Sequence, residues 1–151
     1  MKKLTLEIKP REGFGGLKFR ATKNEVIEYL GEPNEEEVFE NEEKTGSMLI
    51  CHFWDKATSA FFENPKNPVL NTLETDNPDA TLFGKAVFAM KEAEIKALME
   101  ENGYTELDEE MMEDEEFENE KRVSYDDALM DFFFEGDVLT AVNWGIESEE
   151  E

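Results

Sequence analysis

The chain has 151 residues, 39% of them hydrophobic and 11% aromatic with 12 Phe, which is enough apolar mass to build a core and excludes a wholly disordered chain. Asp and Glu number 39 against 15 Lys and Arg, a formal net charge of −24. Such a surface repels nucleic-acid phosphates and anionic membranes, so neither is an expected partner, whereas a basic protein is attracted from long range.

Met1-Lys2-Lys3 imitates the start of a signal peptide, but Glu7 and Lys9 break the apolar stretch and the pattern alternates like a strand. No run reaches the length of a membrane span. The single cysteine, Cys51, excludes an intrachain disulfide, and the expected location is cytoplasmic. Gly13-Phe14-Gly15-Gly16 follows this predicted strand and has the outline of a phosphate loop. Lys18 stands where a dinucleotide fingerprint needs its third glycine, and no Gly-Lys-Ser/Thr follows. A structural turn is expected there, and no cofactor.

Thr22 to Leu30 reads as a helix. Thr22 and Glu25 have capping-box spacing, Val26, Ile27 and Leu30 form the apolar stripe, and Gly31 with Pro33 ends it. Strands are then predicted over Glu36–Phe39, Met48–Trp54, Ser59–Glu63 and Val69–Thr75, parted by turn-like clusters at 42–46, Asp55-Lys56 and 64–68. A second helix is predicted over Lys91 to Met99 with Ile95, Leu98 and Met99 on one face and Gly103 as its stop. Met90 and Ala93 replace the capping pair, so its start signal is weaker. From Glu106 to Glu120, 10 of 15 residues are acidic, read as a solvated loop or as a helix with Leu107, Met111 and Met112 facing in. Strands follow over Arg122–Tyr125, Leu129–Glu135 and Val138–Trp144, and residues 147–151 form an acidic tail. The short turns imply antiparallel hairpins.

Shifting the chain by 68 positions places Gly16 on Gly84, Ala21 on Ala89, Lys23 on Lys91, Ile27 on Ile95 and Leu30 on Leu98. Phe61-Phe62-Glu63 matches Phe133-Phe134-Glu135 after small insertions. The expectation is one domain over 1–151 made of two repeats, about 14–76 and 82–146. The fold class is α+β: two helix-plus-antiparallel-meander units forming one sheet with helices on one face.

Chemistry-bearing motifs are scarce. Cys51 and His52 are the sole thiol and imidazole, and as neighbours on a strand they point to opposite faces, which excludes a Cys–His dyad. Zinc lacks ligands, and the stretch from Asp108 lacks the central glycine of a calcium loop, so no specific metal is expected. The acidic run offers only non-specific divalent-cation binding. With helices on one face, the other would carry His52, Trp54, Phe61 and Phe133, the last beside Asp131 and Glu135. Aromatics among carboxylates on an open sheet look like a protein-binding face. The alternative is that loops or a second subunit cover it.

Gly16-Leu17-Lys18-Phe19-Arg20-Ala21-Thr22-Lys23-Asn24-Glu25-Val26 and Leu30-Gly31-Glu32-Pro33 resemble the G-x-x-x-G-M-T-x-x-E-V … L-G-x-P opening of tandem β-lactamase-inhibitor-like repeats, with Arg20-Ala21 in place of Gly-Met. The resemblance implies two units forming one sheet whose exposed face grips a protein. At class level the chain is also similar to bacterial immunity proteins, which are often small, acidic and α+β. The expected function is a non-catalytic protein-binding module, inhibitor-like or immunity-protein-like, acting on a basic protein. The alternatives are a small carboxylate-dependent hydrolase or isomerase, or a structural protein whose acid coats the surface.

Overall fold

The computed structural model describes residues 6–40, 47–63, 68–114 and 117–146. The predicted turn over 42–46, most of that over 64–68, and the acidic tail lie outside them. In chain order the strands are β1 (Glu7–Lys9), β2 (Gly13–Phe14), β3 (Leu17–Lys18), β4 (Glu35–Glu40), β5 (Ser47–Phe53), β6 (Thr58–Glu63), β7 (Val69–Thr75), β8 (Thr81–Leu82), β9 (Lys85–Ala86), β10 (Leu107–Asp114), β11 (Phe117–Tyr125), β12 (Met130–Glu135) and β13 (Val138–Gly145). Helix α1 (Lys23–Leu30) precedes β4, and α2 (Glu92–Glu101) precedes β10. The fold is therefore mixed α+β and mostly antiparallel.

The expected single sheet is in fact two. A small sheet runs β3–β2–β1–β8–β9, and an eight-stranded antiparallel sheet runs β10–β11–β12–β13–β7–β6–β5–β4. Of the small one, sequence reading found only the strand at the start of the chain, because β2, β3, β8 and β9 have two residues each, too short for alternation to register. Strand β1 joins them, pairing antiparallel with β2 and parallel with β8.

The large sheet reads alike from either edge. Each half of the chain supplies four consecutive strands, and β7 and β13 meet antiparallel in the middle. A register shift lies between Phe61 and Phe62 in one half and between Phe133 and Phe134 in the other. The residue before each helix bridges the start of its half's last strand, Thr22 to Val69 and Lys91 to Val138. These bridges are offset by 69 (91 − 22 and 138 − 69), not 68. The turn Val87–Ala89, a short 3-10 helix before α2, takes up the extra residue. At that offset Val26 falls on Ile95 and Leu30 on Met99, and all four are buried.

Helix α1 begins with the expected reciprocal cap: Glu25 N donates to Thr22 Oγ1 at 3.2 Å and Thr22 N to Glu25 Oε1 at 2.8 Å. Gly31 closes it at φ 96°, a region open to glycine. Helix α2 has Lys91 as its N-cap and begins at Glu92, one residue later than predicted, and it keeps half a box, with Lys91 N donating to Glu94 Oε1 at 2.8 Å. It ends in a Schellman motif: Tyr104 N donates to Met99 O and Gly103 N to Glu100 O, both at 3.0 Å.

Inward-facing residues of both sheets and both helices share one core, including Phe14, Val26, Phe62, Leu73, Ile95, Phe132, Phe134 and Trp144. Trp144 docks the sheets together, donating from Nε1 to Gly13 O at 3.0 Å and meeting Phe14 edge-on at 5.1 Å.

The acidic segment overturns both readings made for it. Its described residues are neither loop nor helix: Leu107–Asp114 form the edge strand β10, which pairs antiparallel with β11, and Phe117–Glu120 begin β11. The lysines that complete it lie elsewhere in sequence. Lys96 of α2 and Lys121 of β11 each contact Glu92 and Glu109, a ring of 2.5 to 3.1 Å contacts that ties α2 to the hairpin. Charge on an edge strand also resists pairing with other chains.

Candidate functional site: the outer face of the large sheet

Strand pairing makes the outer face a grid of two rows. Across the first, Glu35, His52, Ser59, Glu74, Asn143, Asp131, Ser124 and Asp108 stand opposite one another from β4 to β10. Every member is polar, and hydrogen bonds link them in stretches. Ser59 Oγ lies 2.8 Å from His52 Nδ1, and Glu37 Oε2 lies 2.7 Å from His52 Nε2. Asn143 Nδ2 donates to Glu74 Oε1 at 3.2 Å, and Ser124 Oγ to Asp131 Oδ1 at 2.5 Å. Glu74 and Asn143 pair across β7 and β13, the two central strands, so their pair marks the middle of the sheet.

The second row is more apolar. Glu37, Ile50, Phe61 and Thr72 stand in line on one half, and Ala141, Phe133, Arg122 and Glu110 on the other. Ile50 is buried yet stands outside the main core. Arg122 pairs with Glu110 across the edge hairpin.

The proposed face residues fall as follows. His52, Phe61, Asp131 and Phe133 share the outer face and are half-buried, and Glu135 is exposed at its rim. Trp54 is not on a strand, as β5 stops at Phe53. It opens the 3-10 turn Trp54–Lys56 and folds back over the face, its ring 6.3 Å from His52 at an interplanar angle of 27°. Trp54 N donates to Asn34 Oδ1 at 2.9 Å, which anchors the turn, and the residue remains 60% exposed. Cys51 points the other way, fully buried, and burial pushes its thiol up to about 11. Sequence reading missed Glu37, Ser59, Glu74 and Asn143. Alternation with Phe61 places Ser59 on its face, but nothing local says which strands face each other.

The Glu37–His52–Ser59 chain has the connectivity of an activated serine. Its surroundings do not suit acyl transfer. Ser59 is flanked across the strand by Glu74 and His52 by Glu35, and an oxyanion forming there would meet carboxylates rather than donors. What the row does well is attract cations and fix side chains. Among the described residues, no group of three or more His, Cys, Asp or Glu is placed to hold a metal ion.

Concavities lie around the fold among the described residues. One of about 250 Å³ indents the outer face between Thr72, Asp131, Asn143 and Ile146. One of about 520 Å³ separates the β2–β3 hairpin from α1, where Gly16 N donates to Tyr29 Oη at 2.9 Å, so the glycine-rich segment is a hairpin turn. A third, about 380 Å³, is an apolar groove between α2 and the start of β10.

These features define a protein with a two-sided antiparallel sheet, one side sealed by helices and the other polar and aromatic. No family model, no curated protein and no solved structure matches the chain. Among the described residues, no helix is long and apolar enough to cross a membrane.

Proposed function

We propose that the chain is a non-catalytic binding module whose outer sheet face takes a basic protein, in the manner of an inhibitor or immunity protein. The observation that carries this reading is the composition of that face: Trp54, Phe61 and Phe133 set among Glu35, Glu37, Glu74 and Asp131. Aromatic anchors within a charged frame are the usual content of a specific interface. The net charge of −24 steers a basic partner toward it. The mirrored strand order and paired register shifts support two copies of one helix-plus-meander unit, as in the tandem inhibitor-like repeats that the opening residues resemble. The single, buried thiol suits a reducing, cytoplasmic setting.

Affinity capture tests the reading. The wild-type chain, an outer-face variant (Trp54→Ala with Asp131→Asn) and a helix-side variant (Glu101→Gln) are used as baits at low and high salt. The wild type and Glu101→Gln are expected to retain the same basic protein at low salt and to lose most of it at high salt. The outer-face variant is expected to lose it at both. Retention by the outer-face variant, or no protein bound to any bait at low salt, would defeat the proposal.

A further inference from the structure

We infer that the corner built by Trp54, His52 and Glu37 is a subsite for an arginine side chain of the partner, an assignment that rests on the binding reading above. The corner is pre-set on both sides. The Trp54 backbone is held by Asn34, whose own N–H donates to His52 O at 2.7 Å. The His52 ring is fixed at both nitrogens, by Ser59 and by Glu37. Trp54 stacks on that fixed ring and leaves 60% of itself to solvent, a flat indole platform. Two carboxylates stand at His52. Glu37 engages His52, and Glu35, directly across the strand from His52, has no ion pair among the described residues.

A guanidinium fits this combination by its shape. Its plane can lie on the indole while its in-plane N–H groups reach a carboxylate at the edge. A lysine ammonium is a compact, strongly hydrated point charge and gains less from the flat surface. Charge and shape divide the work. The rows of carboxylates bring any cation to the face, whereas the platform distinguishes arginine from lysine. Long-range attraction and local selectivity are therefore separate properties with separate residues.

The experiment uses fluorescein-labelled oligo-arginine and oligo-lysine peptides of equal length, titrated with the full chain at low salt and followed by anisotropy. The wild type is expected to bind the arginine peptide about two- to fivefold more tightly than the lysine peptide. Trp54→Ala is expected to remove that preference while keeping the binding that the two peptides share. Trp54→Phe should restore part of it. Trp144 is fully buried, so quenching by acrylamide reports on Trp54, and the arginine peptide should protect it. Equal affinity for the two peptides in the wild type, or a preference that survives Trp54→Ala, overturns the arginine assignment and leaves the binding reading standing. Failure of both peptides to bind the wild type overturns the two together.

Discussion

Glu92 carries the tie between α2 and the acidic hairpin, and its neutralisation gives a test with an unusual sign. In a chain with a net charge of −24, removing one average carboxylate relieves repulsion and is neutral or slightly stabilising. Glu92 is different because Lys121 and Lys96 lie 2.6 and 2.8 Å from it and its side chain is only 13% exposed. Burial pushes its carboxyl up, but the hydrogen bonds from both lysines outweigh this and hold it below the usual glutamate range. Glu109 is lowered by the same two lysines. Two partly exposed pairs at roughly 0.2–1 kcal/mol each put the loss in Glu92→Gln at about 1 kcal/mol. Both lysines keep Glu109, which bounds the effect from above. Urea unfolding at neutral pH and low salt should show Glu92→Gln less stable than the wild type, with the exposed Glu101→Gln unchanged or slightly more stable. The sign with pH follows from the lowered carboxyls. Their contribution is present above the unfolded glutamate pKa of about 4 and disappears as pH falls through the folded value. The difference between wild type and variant should therefore vanish in acid. A Glu92→Gln protein as stable as Glu101→Gln at neutral pH would refute the reasoning.

Three further outcomes follow from the packing. A Cβ on Gly145 would sit 2.6 Å from Asn71 O at the β7–β13 seam, so Gly145→Ala should lower stability by roughly 1–3 kcal/mol in chemical denaturation. Thr22→Ala removes the hydroxyl that accepts from Glu25 N and should cost about 1 kcal/mol, while Lys91→Ala, whose side chain accepts nothing at its cap, should cost less. Cys51 is buried and its thiol is raised to about 11, so a thiol reagent at neutral pH should leave the native chain unlabelled and label it only on unfolding.

Local signals in the sequence reached as far as the elements. The capping pair Thr22–Glu25 marked the start of α1, and Gly103 marked the end of α2. Alternation placed Phe61 and Phe133 on the outer face, and the next residues, Phe62 and Phe134, are buried on the inner one. Three things stayed hidden because they depend on residues far apart in the chain. The acidic segment is a strand through its pairing with β11, and Glu109 is met by Lys96 from α2 as well as by Lys121, which the composition of the run does not announce. The one-residue offset between the halves comes from the turn at Val87–Ala89, which has no signature in composition. The polar row depends on register. Ser59 meets Glu74 and Asn143 meets Asp131 only because the strands pair as they do, and a slip of one residue would turn each to the other face. Trp54 was assigned to a strand and lies in a turn, yet the turn returns it to the predicted face, where it stacks on His52.

The most direct test of the outer face as the binding surface is a two-dimensional NMR titration with the oligo-arginine peptide. The chain has two tryptophans, and their indole N–H signals report on opposite sides of the sheet. Trp54 is exposed on the outer face, and Trp144 is buried in the core with its Nε1 donating to Gly13 O. The account predicts that the Trp54 indole signal shifts progressively, with amides of β5, β6 and β12 moving alongside it, while the Trp144 signal stays in place. Shifts confined to α1, α2 and the small sheet, with the Trp54 signal unmoved at saturation, would contradict it.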